Sequence, residues 1–190
     1  MRPAGCSGRP GWAEAERQLE RQLERQWRGE WGREGEGFLA SVAPMDTPPL
    51  SHHEFPILGR AYFLGGRAST SVRRVLREAG VEEETIQRAC VACYEAEMNV
   101  VLHARSGYIA LEIFPDRLEL AAVDRGPGIP DVERAMKPGW SSASEEARSL
   151  GFGAGMGLPN IREQADEMAL ESVPGEGASV RMTFLRSPTP

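Results

Sequence analysis

From His52 onward the apolar side chains recur with periods that identify one element after another. The run HHEFPI is extended, and residues 69–78 place Val72, Val75 and Leu76 on one helical face before Gly80, a residue suited to closing a helix. A second helix begins beyond Gly80, where Glu82, Glu83 and Glu84 suit the positive end of the helix dipole, and it spans residues 83–103 through CVACYEAEMNVVLH. Its apolar content predicts a long, mostly buried helix. Two alternating runs, 108–114 and 118–124, are separated by Pro115 and Asp116 and read as an antiparallel hairpin. Then come a turn (RGPGIP), a short helix over 131–136, and a polar, Ser-rich and mobile stretch over 138–149. A helix over 158–167 leads into strands 169–173 and 179–185, joined by PGEG, before the frayed tail of residues 187–190.

Helices and antiparallel strands in this order predict a two-layer α/β sandwich, with helices on one face of a mixed, largely antiparallel sheet. Alternating βαβ units are absent. The glycines of GFGAGMG follow a polar loop rather than a strand, so they do not form a dinucleotide-binding fingerprint. No G-x-x-x-x-G-K-[ST] occurs either. Residues 51–186 form the predicted domain. Residues 1–50 are an extension of another kind, for residues 1–44 hold seven Gly, seven Arg and seven Glu and no sustained strand pattern. Within it ERQLERQLERQW and the residues after it repeat Leu19, Leu23, Trp27 and Trp31 every four residues and predict a short helix near 13–28. Composition favours a solvated extension, or a translation start at Met45, over a docking or dimerisation helix.

Charge and cysteine content narrow the classes. A net charge of −6, with no basic block, argues against direct nucleic-acid binding. No apolar run approaches the ~20 residues of a membrane span, and the N-terminus lacks a signal-peptide core, which predicts a soluble, cytoplasmic protein. Three cysteines make no disulfide framework. Cys90 and Cys93 form a C-x-x-C inside the long helix, and with no second Cys or His pair they read as two small buried side chains rather than a zinc or redox site.

Three features carry chemistry. Glu95 and Asn99 lie one helical turn apart on one face, which His103 continues and from which Glu97 points away. The Asn99 oxygen is a hard donor suited to Mg²⁺, an ion that keeps several waters and bridges to phosphates. Glu95, beside it, can take the proton of a hydroxyl or water that attacks a phosphoryl group. Such a pair is more often plain solvated surface, but Cys93, Met98, Val100 and Val101 make this helix too apolar for an idle one. Asp124 ends a strand and opens DRGPG, where Gly126 and Gly128 let backbone approach a ligand and the carboxylate can accept from an exocyclic amine. Gly151, Gly153, Gly155 and Gly157 precede a helix start at Leu158, a phosphate cradle by dihedral freedom and dipole.

The ordered set E-x-x-x-N, D-x-G-x-G, G-x-G-x-G and a Thr in the last strand resembles the GHKL ATPase superfamily of gyrase, heat-shock chaperone, histidine kinase and mismatch-repair ATPases, over about residues 52–186. The segment KPGWSSASEEARSLGFGAGMGLPNIREQADEMALES is most similar to the stand-alone anti-sigma-factor serine/threonine kinases. That resemblance implies a Bergerat-type fold, ATP and Mg²⁺ as ligands, Glu95 as general base and Asn99 as magnesium ligand. It also implies Asp124 as acceptor of the adenine amine, helped by Thr183, with Gly126 and Gly128 beneath the nucleotide. Gly151, Gly153, Gly155 and Gly157 would hold phosphates, the Ser-rich stretch would be the ATP lid, and Lys137, Arg105 and His103 are further candidates for phosphate contact.

The expected activity is transfer of the ATP γ-phosphoryl group to a small antagonist protein in a partner switch, with a sigma factor and a second copy of the chain as open partners. A non-catalytic, nucleotide-gated binding module is the alternative, and the intact Glu95 argues against it. A detached histidine-kinase ATPase domain ranks last, because His52 and His53 lie in a predicted strand and the N-terminal extension has no His.

Overall fold

The computed structural model describes residues 48–186. The chain divides into two units, Met1–Pro44 and Met45–Pro190, and the described residues all belong to the second. The helix expected near 13–28 and the tail at 187–190 lie outside the described residues.

Five strands form one sheet: β1 (Ser51–Leu58), β2 (Ser106–Ile113), β3 (Arg117–Arg125), β4 (Glu167–Val173) and β5 (Gly177–Leu185), in the order β1-β2-β3-β5-β4. The two-layer α/β sandwich with a largely antiparallel sheet is as expected, and among the described residues every strand pairing is antiparallel, with no parallel neighbours to make the sheet mixed. Two long helices, α1 (Arg67–Glu78) and α2 (Glu83–His103), cover one face, and three short ones follow: α3 (Val132–Ala135), α4 (Glu145–Ser149) and α5 (Gly157–Gln164).

Register explains the core. Ile109 faces Ala122, Leu111 faces Leu120 and Ile113 faces Leu118 across β2 and β3, while Ala122, Leu120 and Leu118 face Val180, Met182 and Phe184 on β5. Because side chains alternate along a strand, all of these point to the helix layer, where Val72, Leu76, Ile86, Cys93, Val100 and Ile161 meet them. Burying each large aliphatic or aromatic side chain is worth about 1.5–3 kcal/mol. Cys90 and Cys93 are buried free thiols within this packing, and burial pushes both thiols up from their ordinary range, Cys93 furthest.

The helix α1 has no capping side chain of its own. Its N-cap is Gly66, in the left-handed region at φ 94°. The orphan amides of the first turn are taken by another helix: Glu97, 2% exposed, accepts from Gly66 and Ala68 at Oε1 and from Ser69 at Oε2, all at 3.0 Å. A carboxylate at a helix N-terminus satisfies both the free amides and the dipole. Glu97 therefore points away from the Glu95/Asn99 face, and the direction it takes fastens α1 to α2.

The last helix and the Ser-rich stretch differ most from the sequence expectation. The helix expected over 158–167 ends at Gln164, since Asp166 is drawn into the sheet: its amide donates to the Thr183 carbonyl (2.9 Å), and its carboxylate accepts from Arg88 and from the Leu185 amide, both at 2.7 Å. Glu167 then opens β4. The Ser-rich stretch is not wholly irregular, because it contains α4, whose Ala147 is fully buried and donates its amide to Ser144 Oγ at 3.2 Å.

Candidate nucleotide site

A cavity of about 540 Å³ opens between the outer face of α2, the end of β3, the Ser-rich stretch and the glycine loop. Such a volume falls in the usual range for small-ligand pockets. From α2 it receives Glu95, Asn99 and His103, the turn-spaced stripe that the sequence predicts. From the sheet it receives Asp124 and, beside it, Ala178 and Val180 of β5. Asp124 shares the strand face of Leu120 and Ala122, so the alternation that fills the core also aims this carboxylate under the helix layer. Burial pushes its pKa up to about 6, an effect that the hydrogen bond from the Ala178 amide only partly offsets.

The glycines do different jobs. Gly151, Gly153, Gly155 and Gly157 all line the cavity. Gly153 (φ 83°) and Gly155 (φ 74°) are left-handed and lie hard against the Ser-rich stretch: a Cβ on Gly153 would come 2.5 Å from the Ala143 Cβ, and one on Gly155 would come 2.5 Å from the Trp140 carbonyl oxygen. The Gly139 amide also donates to the Gly155 carbonyl at 2.9 Å. The alternating glycines thus let the expected lid fold onto the loop. Gly157 answers to α2, since a Cβ there would lie 2.9 Å from Asn99 Oδ1.

Around Asp124 the glycines are supports. Gly128 lines the cavity, whereas Gly126 is buried beneath Asp124 with no room for a Cβ, which would lie 2.8 Å from Asp124 Oδ1. Thr183 is brought nowhere near. It faces Glu119 and Glu167 in the sheet, five residues along β5 from Ala178, and its odd register turns it from the helix layer that Met182 and Phe184 face. The β5 position beside Asp124 is Ala178, which has no hydroxyl, so the role expected of Thr183 has no side chain here to fill it.

Of the expected phosphate contacts, His103 lines the cavity while Arg105 and Lys137 do not. Burial lowers the pKa of His103, favouring the neutral imidazole, and its Nδ1 stands 3.5 Å from Ser142 Oγ in the lid segment. Two residues escaped the sequence reading. Arg60 lines the cavity from a left-handed position (φ 62°) just after β1, its amide held by the Val101 carbonyl at 2.7 Å. Asn160, in the first turn of α5, donates from Nδ2 to Glu95 Oε1 at 2.7 Å. Nothing in their local sequence marks Arg60. Asn160 stands one turn after Gly157, a spacing that gains meaning only once α5 is known to lie along α2.

A carboxylate and a carboxamide oxygen one turn apart beside a glycine-rich helix start, with a second carboxylate lining the same cavity, fit a nucleotide-binding class. The family model of the histidine kinase-like ATPase domain matches residues 66–184, and the chain belongs to that family. Among its relatives, the serine/threonine-protein kinase RsbT of Bacillus subtilis is 35% identical over 113 residues, covering 57% of this chain and 79% of that kinase. An anti-sigma F factor of Caldanaerobacter subterraneus is 37% identical over 105 residues, covering 53% of this chain and 70% of the relative. The sensor histidine kinase YxdK of Bacillus subtilis is 35% identical over 89 residues, but only 27% of that protein is covered. Among the described residues no helix is long and apolar enough to cross a membrane.

Proposed function

We propose that this chain is an ATP-dependent protein serine/threonine kinase of the anti-sigma-factor type. The observation that carries the reading is one cavity lined together by Glu95, Asn99, Asp124 and the Gly151, Gly153, Gly155 and Gly157 loop. Asp124 accepts the exocyclic amine of adenine, while the amides of the glycine loop and of the first turn of α5 face the phosphates. Among the described residues no group of three or more His, Cys, Asp or Glu could hold a metal by itself. A lone carboxamide oxygen fits Mg²⁺, which takes its remaining ligands from water and phosphate, and Asn99 supplies that oxygen; the ion would neutralise charge on the β- and γ-phosphates. Glu95 accepts the proton of a Ser or Thr hydroxyl as that oxygen attacks the γ-phosphorus, and ADP leaves.

The substrate class is a small antagonist protein, phosphorylated in a partner switch within the cytoplasm, with a sigma factor or a second copy of the chain as the competing partner. Support for it comes from the relatives: one is named a serine/threonine-protein kinase and another an anti-sigma F factor. The test is to incubate the protein with labelled ATP, magnesium and candidate antagonist proteins, wild type against Glu95→Ala. The variant is expected to bind nucleotide and to lose transfer. Transfer that is undiminished in the variant refutes the role of Glu95, and binding without transfer in the wild type leaves a nucleotide-gated module.

A further inference from the structure

We infer that Asn160 is a positioning residue: it holds the Glu95 carboxylate in the orientation from which it accepts a proton, and it ties that orientation to the glycine loop. The inference rests on the kinase reading for its catalytic consequence. Its geometric basis is separate.

A carboxylate can only accept hydrogen bonds, so the Asn160 carboxamide must turn its nitrogen to Glu95, as the 2.7 Å contact from Nδ2 to Oε1 records. Glu95 lines the cavity and Asn160 does not. The bond therefore grips the general base from behind and leaves its second oxygen for the cavity. A free glutamate side chain has three rotatable bonds and up to about 2 kcal/mol of rotamer entropy to lose on being ordered. A donor fixed on a helix meets that cost before a substrate arrives, which is how a base is held within reach of its proton.

The second half of the inference is register. On α2 the pair Glu95 and Asn99 stand four residues apart, and on α5 Gly157 and Asn160 stand three apart; both spacings are close to one helical turn. Gly157 meets Asn99, whose Oδ1 would lie 2.9 Å from a Cβ there, and Asn160 meets Glu95. The two functional residues of α2 are thus matched one to one by the first turn of α5. That turn continues directly from the glycine loop, and the Asn160 amide closes it by donating to the Met156 carbonyl at 2.8 Å. Any shift of the loop that carries α5 along α2 changes the direction of the Glu95 carboxylate. Loop position and general-base orientation are then one degree of freedom.

The test compares Asn160→Ala, Asn160→Asp, Glu95→Gln and the double variant Glu95→Gln/Asn160→Ala. It measures magnesium-ATP dissociation constants by calorimetry and steady-state turnover of magnesium-ATP, with and without an antagonist protein that the wild type phosphorylates. We expect Asn160→Ala to bind magnesium-ATP within about threefold of wild type and to lower turnover about tenfold or more, the scale on which partners supporting a functional group act. Asn160→Asp keeps the volume but sets one carboxylate against another, so its turnover is expected to fall below that of Asn160→Ala; a packing role gives the opposite order. In the Glu95→Gln background Asn160→Ala should cost little more, because residues acting as a unit are not additive. Full turnover in Asn160→Ala, or an undiminished cost of that change in the Glu95→Gln background, overturns the inference. If the wild type binds magnesium-ATP but transfers nothing and hydrolyses nothing, the kinase reading fails and the catalytic role of Asn160 falls with it. A wild type that turns over normally while the Asn160 variants match it sinks the positioning role alone.

Discussion

Truncating Glu97 to alanine tests the idea that α1 is capped from outside itself. In the folded protein this carboxylate accepts three amide bonds at 3.0 Å and is 2% exposed. A hydrogen bond to a charged group is worth about 1.5–3 kcal/mol, so three give an upper bound of roughly 4.5–9 kcal/mol. The variant also escapes the burial of a charge, which costs several kcal/mol in a folded protein, so the net loss is expected near ~2–4 kcal/mol. At about 2–4 °C per kcal/mol for a chain of this length, the midpoint of thermal unfolding should fall by roughly 5–15 °C. Glu97→Gln keeps one carbonyl oxygen for Gly66 and Ala68 but turns an NH₂ toward the Ser69 amide, donor against donor, and should fall between alanine and wild type. The assay is thermal and urea unfolding of wild type, Glu97→Gln and Glu97→Ala, with magnesium-ATP affinity measured below each midpoint. Affinity should stay near wild type, for Glu97 faces away from the cavity. An alanine variant that melts within about 2 °C of wild type would show that the three bonds contribute nothing net, and the account of α1 would be wrong.

Further expectations concern the site. Asp124 has its pKa raised from 3.8 to about 6, so its neutral form favours the fold: that contribution is full below about pH 3.8 and is lost as pH rises through about 6. Nucleotide-free thermal scans across this window should show the decline in wild type and a flatter profile in Asp124→Asn; coincident profiles argue against the shift. In the same window magnesium-ATP binding to wild type should strengthen with rising pH as the acceptor ionises. Gly155→Ala should reduce magnesium-ATP affinity far more than Gly151→Ala, because both glycines are left-handed, worth about 1–2 kcal/mol against alanine, but only at Gly155 would a Cβ strike the lid segment. Equal losses in a binding titration would contradict that difference. Thr183→Ala should leave the ATP-induced thermal shift unchanged while Ala178→Leu abolishes it, and the reverse order would restore Thr183 to the site.

Much of this site was legible because its parts are local patterns. The turn spacing of Glu95 and Asn99, the strand-ending Asp124 and the glycine alternation are each written within a few residues, and each reaches the same cavity. The apolar faces of α1, α2 and the hairpin were legible for the same reason, through period and alternation. What sequence reasoning missed depends on contacts between distant segments. Thr183 was misplaced because the parity of β5 against β3 is set by pairing, and Val123 opposite Ser179 turns Thr183 to the far face. The end of α5 was misjudged because Asp166 is captured by Arg88 and by the amide of Leu185, partners 78 and 19 residues away. Asn160 and the partners of Glu97 were invisible until α5 and α1 were seen against α2.

The strand order has a consequence for how the chain is made. In the arrangement β1-β2-β3-β5-β4 the latest of the five described strands in sequence is an interior one, and β4, which precedes it, has no other neighbour among them. A nascent chain stopped before Gly177 can pair β1, β2 and β3 but leaves the β3 edge open and β4 unattached. It also lacks the amide of Ala178 that Asp124 accepts. The Asp124 end of the cavity is thus completed only by β5, the latest of the five strands in sequence, so a chain cut before Gly177 is expected to lack a finished cavity even though β1, β2 and β3 can pair.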